Sequence, residues 1–355
     1  MKIYHTALGL LCAVYLIGPL AALGAELQFE PLINYEMPPE RGDSFVQSPN
    51  DGTFDDQGNL YLLDSGAKCV FVWDREGKFV RTLGRGGTGP GEFSFARAGR
   101  THIAYNGSEI IVLDDSVRKL HYFRDLAFVE TREKSDGIGR LTYFKCLANG
   151  KVVVWERKRK DRIPFARVYL ADQENLANPI MLLDIEDKMY RRNKERGWDF
   201  FPACPKPVIS ADYHADMVII GDSISPRVKI YNTAGKLMRE LTVTLNPPEY
   251  DQASRRLELT RKKWLKPPHR AMWPKYNRRY SGLEMLPGHQ VLVRRYIPER
   301  AITEGVLYSE QGKALARLNG WFGEGGGMMI VGQRLVLFYM DEDGELSIKS
   351  ARAVY

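Results

Sequence analysis

The sequence predicts an all-β fold in which six repeated sheets close into a ring, completed by an N-terminal strand and carrying a helical insertion. Three observations carry that expectation. A strand-turn-strand phrase recurs with drift: Gly58-Asn-Leu-Tyr-Leu-Leu-Asp64 with Lys68 and Val72-Trp73, then Glu109-Ile-Ile-Val-Leu-Asp114 with Arg118 and Tyr122-Phe123, then Met217-Val-Ile-Ile-Gly-Asp222 with Arg227 and Ile230-Tyr231. A unit this small cannot bury its own apolar face, so copies must pack side by side. Between these copies, β-branched and aromatic residues alternate with the period of a strand. Finally, the chain has 355 residues and is 44% hydrophobic, enough for a large core, and closed all-β architectures hold that length as one domain.

Residues 1–25 read as a cleavable export signal. Lys2 opens a short basic region, Ala7 to Leu23 is almost uncharged, and Ala22 and Gly24 suit cleavage after Gly24 or Ala25. The competing reading, a membrane anchor, is disfavoured by the short run and its Gly18-Pro19 break. The mature chain, 26–355, is therefore expected as a single domain in the periplasm or secreted. It keeps Cys69, Cys146 and Cys204, an odd number that spacing does not pair. One disulfide with one thiol, or three thiols, both satisfy it.

The first blade is expected from about Phe45 to Leu83, and the second from about Ala96 to Thr131 around Ile110-Ile-Val-Leu113. The third has Gly150 to Trp155, Phe165 to Leu170 and Ile180 to Leu183; the fourth has Met217 to Ile220, Val228 to Tyr231 and Leu237 to Leu245. The fifth runs through Gly282 to Met285, Gln290 to Arg294, Gly305 to Tyr308 and Ala314 to Leu318. The sixth, with Gly326 to Val331, Arg334 to Tyr339 and Glu345 to Ala351, is one strand short. Leu27 to Tyr35 is the spare β-capable segment, and its pairing with the sixth blade would close the ring and leave no edge.

Two stretches break the repeat, near 184–206 and 246–280. Asp184 to Phe201 is highly charged and reads as a short helix or an irregular loop. In the second, Asn246 suits a helix cap, Pro247 the first position and Glu249 the third residue after the cap. Tyr250, Ala253, Leu257 and Trp264 then share one side at helical spacing, and Pro267-Pro268 stops the run, which predicts a helix over 247–265.

Asp55-x-x-Gly58-Asn-Leu-Tyr-Leu-Leu-Asp64, followed by Trp73-Asp-x-x-Gly77-Lys and the run Leu83 to Phe93, resembles one blade of a six-bladed NHL-repeat β-propeller of exported bacterial type. The match is close in the first blade and looser in the second and fourth. That broad group holds scaffolds and ligand-binding modules, with lactonases, strictosidine-synthase-like enzymes and amidating lyases as distant relatives. The resemblance therefore implies fold more than activity. Its enzymes carry metal-binding carboxylate, Asn or His side chains in the central channel, and no such set is identified at matching positions here.

Each conspicuous motif has an architectural reading. Gly84 to Gly91 has the glycine density of an anion-binding loop but lacks the Gly-Lys-Ser/Thr ending and a following helix, so a tight interblade turn is expected. Gly323 to Gly327 reads the same way. Asp64, Asp114 and Asp222 could form a calcium-binding ring; the favoured reading has each accept hydrogen bonds in its turn, balanced by Lys68, Arg118 and Arg227. Asp115, Asp216, His214 and Glu324 are the remaining metal candidates, each more readily an ordinary loop residue. No cofactor is expected, with Ca2+ or another divalent ion as the alternative. His102, His121, His214, His269 and His289 form no catalytic motif, and no Gly-x-Ser-x-Gly elbow is present.

Basic charge is the strongest remaining signal, with a formal net charge of +7. Arg157 to Lys160 is one cluster, and Arg191, Arg192, Lys194 and Arg196 form another. The largest combines Arg261, Lys262, Lys263, Lys266, Arg270, Lys275, Arg278 and Arg279 with the aromatics Trp264, Trp273 and Tyr276. Such a mixture suits stacking on nucleic acid, but export removes nucleic acid as a physiological partner. An acidic exported or envelope protein is the expected partner, with an anionic glycan or a membrane surface as alternatives. The functional expectation is an exported, non-enzymatic interaction or scaffold module. The alternatives are a metal-dependent lactonase-like hydrolase or lyase, or a glycan- or polyanion-binding module.

Overall fold

The computed structural model describes residues 28–354 apart from 30–32, 39–45, 96–100, 135–137, 161–162, 174–175, 177, 187–189, 194–196, 201–204, 212, 216, 250–251, 253–254, 257–269, 272–277, 298–301, 322–326, 332–333 and 341–345. The export signal therefore lies outside the described residues, as does nearly all of the expected helix over 247–265. Within that stretch Gln252, Arg255 and Arg256 have helical backbone.

Five antiparallel sheets follow one another along the chain, each made of four consecutive strands. Blade one comprises Pro49–Phe54, Leu60–Asp64, Cys69–Trp73 and Phe79–Leu83. Blade two comprises Thr101–Tyr105, Ile110–Asp114, Lys119–Arg124 and Ala127–Glu133. Blade three comprises Arg140–Cys146, Lys151–Lys160, Ile163–Asp172 and Ile180–Glu186. Pro207–Ser210, Met217–Asp222, Arg227–Asn232 and Leu237–Thr242 make blade four. Gly282–Leu286, Gln290–Ile297, Ile302–Tyr308 and Ala314–Trp321 make blade five.

The sixth blade is composite. Gly327–Val331, Arg334–Met340 and Leu346–Val354 supply three strands, and the last pairs with both Gln28–Phe29 and Ile33–Tyr35 from the other end of the chain. The expected closure is therefore present. First strands touch between blades one and two, two and three, four and five, and six and one.

The second strand of blade one, Leu60–Asp64, is buried at every position. Leu60 and Leu62 pack with Tyr35, Trp73, Val336 and Ile348 toward blade six, while Tyr61 and Leu63 pack with Ile103, Ile110 and Val112 toward blade two. Side chains alternate across the sheet, so a strand covered by neighbours on both faces reads as a continuous apolar run. Ile110–Asp114 is buried throughout in the same way.

At the closure, Tyr35 Oη and Ser350 Oγ lie 2.9 Å apart. One residue later the chain turns to blade one: the Glu36 N–H donates to the Gly77 carbonyl at 2.8 Å, and the Trp73 indole donates to the Glu36 carbonyl at 2.6 Å. Trp73 is fully buried between Tyr35, Phe71 and Phe79. Gly77 sits at φ +90°, and a Cβ there would come within 2.3 Å of the Asn34 carbonyl oxygen. Only glycine permits both the turn and the close approach.

Several expectations need correction. The charged segment Asp184 to Phe201 is neither a helix nor an irregular loop where it is described. Blade three continues to Glu186, and Tyr190–Asn193 and Gly197–Phe200 form a hairpin. Its strands are only four residues each, too short for a strand period to stand out against the charged composition. The basic run Arg157 to Lys160 likewise belongs to a strand, since the central strands of blade three are ten residues each. The turn reading of Gly84 to Gly91 holds: Arg85–Gly86 pairs with Glu92–Phe93, and Phe93 is fully buried.

The closure should behave as part of the global fold. Removing residues 26–36 is expected to lower the denaturation midpoint of the whole ring in a single transition. Trp73→Ala should cost about 3–5 kcal/mol by urea unfolding.

Candidate functional site

The axis of the ring contains a cavity of about 500 Å3, lined by first strands of blades one, three, four and five together with Trp155, His214 and Arg294. On one wall, Lys145 Nζ donates to Asp51 Oδ1 at 2.7 Å, to the Gly52 carbonyl at 2.9 Å and to the Ile103 carbonyl at 2.8 Å. One ammonium thereby joins blades one, two and three. Asp51 Oδ2 accepts from the Ile103 N–H, and His102 Nδ1 lies 3.5 Å from the same oxygen. Burial alone pushes the Asp51 carboxyl up, but Lys145 and His102 outweigh it and lower the pKa from 3.8 to about 2.

Blade five supplies the opposing wall. Arg294 Nε donates to Glu284 Oε1 at 2.7 Å, while Glu284 Oε2 is buried without a hydrogen-bond partner. Burial raises the Glu284 pKa, opposed by Arg294. Asn50 Nδ2 is bonded to Thr101, but Asn50 Oδ1 and Trp155 Nε1 are also buried without partners. Buried polar groups left unpaired are uncommon, and these three belong to residues that line the cavity.

The residues singled out by motif have other duties. Asp64 accepts the N–H groups of Gln47, Ser48, Gly66 and Ala67, and Asp114 those of Ser94, Phe95 and Ser116. Asp222 accepts from Ile224, with its pKa raised by burial. The turn reading of these carboxylates holds, but the partners differ from those expected. Backbone amides satisfy the carboxylates, whereas Arg118 donates to the Lys134 carbonyl and Arg227 pairs with Glu240. Lys68 and Arg118 instead occupy equivalent left-handed turn positions, at φ 54° and 59°.

Asp115 is engaged by the buried Lys134 ammonium, which argues against a ligand role. His214 Nδ1 lies 3.8 Å from Asp56 Oδ1. Asp216 and Glu324 lie outside the described residues, and among the described residues no cluster of three or more His, Cys, Asp or Glu is placed to hold a metal. Cys69 and Cys146 are buried free thiols with pKa pushed up to about 12 by burial, and Cys204 lies outside the described residues. The glycine-rich loop does cradle an anion, its own: Glu92 Oε2 accepts from Thr88 and Gly89, and Arg85 pairs with Oε1.

Of the expected partner-binding residues, Arg261, Lys262, Lys263, Trp264, Lys266, Trp273, Lys275 and Tyr276 lie outside the described residues. Arg270–Ala271 is a short strand that pairs parallel to Gly197–Phe200, in the register Asp199↔Arg270 and Phe200↔Ala271. The two departures from the repeat thus share a three-stranded sheet with the row Arg191, Asp199, Arg270. Where the insertion returns to the ring, Arg279 donates to the Leu245 and Ile224 carbonyls, and Tyr280 is fully buried. Arg279 is therefore a clamp across the base of the insertion.

Residues 52–187 match the family DUF5128, described as a 6-bladed beta-propeller. The fold is that of a six-bladed, NHL-like β-propeller. Among solved structures, the chain is similar to a candidate exported protein from Bacteroides fragilis, at 12% identity and a TM-score of 0.58, covering 96% of this chain and 98% of that one. A member of the DUF4221 family from Bacteroides vulgatus matches at 9% identity and 0.55, covering 93% and 98%. Virginiamycin B lyase from Staphylococcus aureus matches at 9% and 0.46, covering 92% and 100%. At these identities the likeness concerns the fold alone. Among curated proteins, no relative matches the chain.

Asn50, Asp51, Lys145, Glu284 and Arg294 belong to no motif. The signal available in the sequence was the polar character of first strands such as Pro49-Asn-Asp-Gly-Thr-Phe54, which differ from the apolar second strands because one side faces the axis. The lowered Asp51 pKa gives stability that is complete above about pH 4 and lost as pH falls toward 2, worth about 2 kcal/mol. Asp51→Asn should flatten the acid limb of a stability-versus-pH curve across that window.

Proposed function

We propose that this chain is an exported, non-enzymatic recognition module of the cell envelope whose insertions present a basic surface to an acidic protein partner. The observation that carries this reading is the parallel pairing of Gly197–Phe200 with Arg270–Ala271. It joins the hairpin that carries Arg191 and Arg192 to Arg270–Ala271, which lies in sequence within the larger basic and aromatic insertion. Arg279 donates to the Leu245 carbonyl, which ties the two ends of that insertion together.

The N-terminal segment supports export through its basic start, apolar run and small residues at Ala22 and Gly24. Similarity to a candidate exported propeller points the same way. Aromatics among arginines and lysines supply both apolar anchors and charge complementarity for a protein surface.

Protein recovered from a periplasmic fraction is expected to begin at Ala25 or Glu26 by mass spectrometry. A photo-cross-linking residue at 263 should yield a discrete acidic adduct in cells, while one at the exposed Val80 of blade one should not. Reversing Arg261, Lys262 and Lys266 to Glu should weaken binding of the purified partner by at least about tenfold, or ~1.4 kcal/mol. Unchanged binding in that variant, with an unchanged melting curve, would remove this surface as the interface.

A further inference from the structure

We propose that the axial cavity binds a small monocarboxylate with an apolar body, its carboxylate held by the guanidinium of Arg294. The cavity, of about 500 Å3, lies in the range of small-molecule sites. The one cation there with open donors then selects the ligand class.

Arg294 belongs to the second strand of blade five, next to the buried Val293. It stands directly opposite Gly282 on the first strand. A Cβ at Gly282 would come within 2.8 Å of Arg294 Cγ, Nε and Cζ, so the side chain lies across bare backbone toward the axis. Only glycine leaves that path open.

The ion pair with Glu284 uses Nε alone, at 2.7 Å. Nη1 and Nη2 make no hydrogen bond among the described residues and, with the side chain 21% exposed, they are not among the unpaired atoms sealed from solvent. Two N–H groups at the end of a guanidinium match the two oxygens of a carboxylate.

The other walls leave that guanidinium to a ligand. Lys145 Nζ already holds three acceptors, Asp51 Oδ1 among them, and His214 Nδ1 faces Asp56 at 3.8 Å. Glu284 is only 5% exposed, so its charge stays behind its own pair. A phosphate dianion would bring more charge than one guanidinium offsets in a desolvated site. A wholly apolar ligand would cover the Nη donors without an acceptor. Ser210 adds a neutral donor, since its Oγ accepts from the Met285 N–H at 3.3 Å and its own O–H has no acceptor among the described residues. Tyr143, Trp155 and Ile209 line the same cavity and are only partly buried, which supplies apolar surface for the rest of the molecule. The basic insertion plays no part in this inference, and either can fail without the other.

Calorimetric titration of the purified mature protein with benzoate, hydrocinnamate and isocaproate, each beside its primary amide, tests the proposal. At least one acid should bind saturably with Kd below ~1 mM, and its amide, of the same shape without the charge, at least about tenfold more weakly. Arg294→Lys, which keeps a cation beside Glu284 but removes the fork, should weaken binding of the acid by about tenfold or more. The double change Arg294→Gln with Glu284→Gln removes the pair without stranding a charge, and serves if the single variant fails to fold. Absence of saturable binding by all three acids up to ~20 mM, equal affinity for acid and amide, or equal affinity in a folded variant would overturn the proposal. Displacement of the bound acid by about 10 mM inorganic phosphate would place it on the basic surface instead and overturn the proposal as well.

Discussion

The ring depends on the clasp between its two chain ends. Blades one to five bury apolar side chains on both faces of their inner strands, so each needs a neighbour on either side. Five of the six seams join sheets that are consecutive in sequence. The sixth requires Ile33–Tyr35 to extend blade six and the next residue to engage blade one. Trp73 concentrates this requirement, packing on Tyr35 and donating to the Glu36 carbonyl. Its burial is possible only when the N-terminal segment is in place, which couples the sheet edge of blade six to the core of blade one.

The seams are also organised by buried carboxylates, and their partners separate architecture from chemistry. Asp64 and Asp114 take the amides of the connection entering their own blade together with those of their turn. A carboxylate bonded to several N–H groups has its acceptor sites filled by the backbone. This explains why the phrase repeats: each copy fixes the entry to a blade. Glu92 solves an analogous problem by filling the glycine loop from within. Asp51 and Glu284 follow a different rule, since their cationic partners come from positions with no repeat and their neighbours are left partly unpaired.

Two separate features thus depart from the repeat. The axial cavity is formed where first strands converge, and its polarity comes from side chains pointing away from the interblade cores. The insertion platform lies outside that repeat and is joined by backbone pairing between segments about seventy residues apart.

The sequence by itself determined the ring. Apolar periodicity, the recurring Asp and Gly turns and a spare N-terminal strand identify the blades and their closure, because these are local patterns repeated at nearly constant spacing. It did not reveal the hairpin at 190–200, whose four-residue strands are too short to show a period, nor the true partners of Asp64, Asp114 and Arg227. The cavity was equally hidden. Asp51 and Lys145 stand ninety-four positions apart, and Asn50 meets Thr101 from another blade. Only tertiary structure decides such pairings, because circular closure brings first strands together around an axis that no local sequence pattern records.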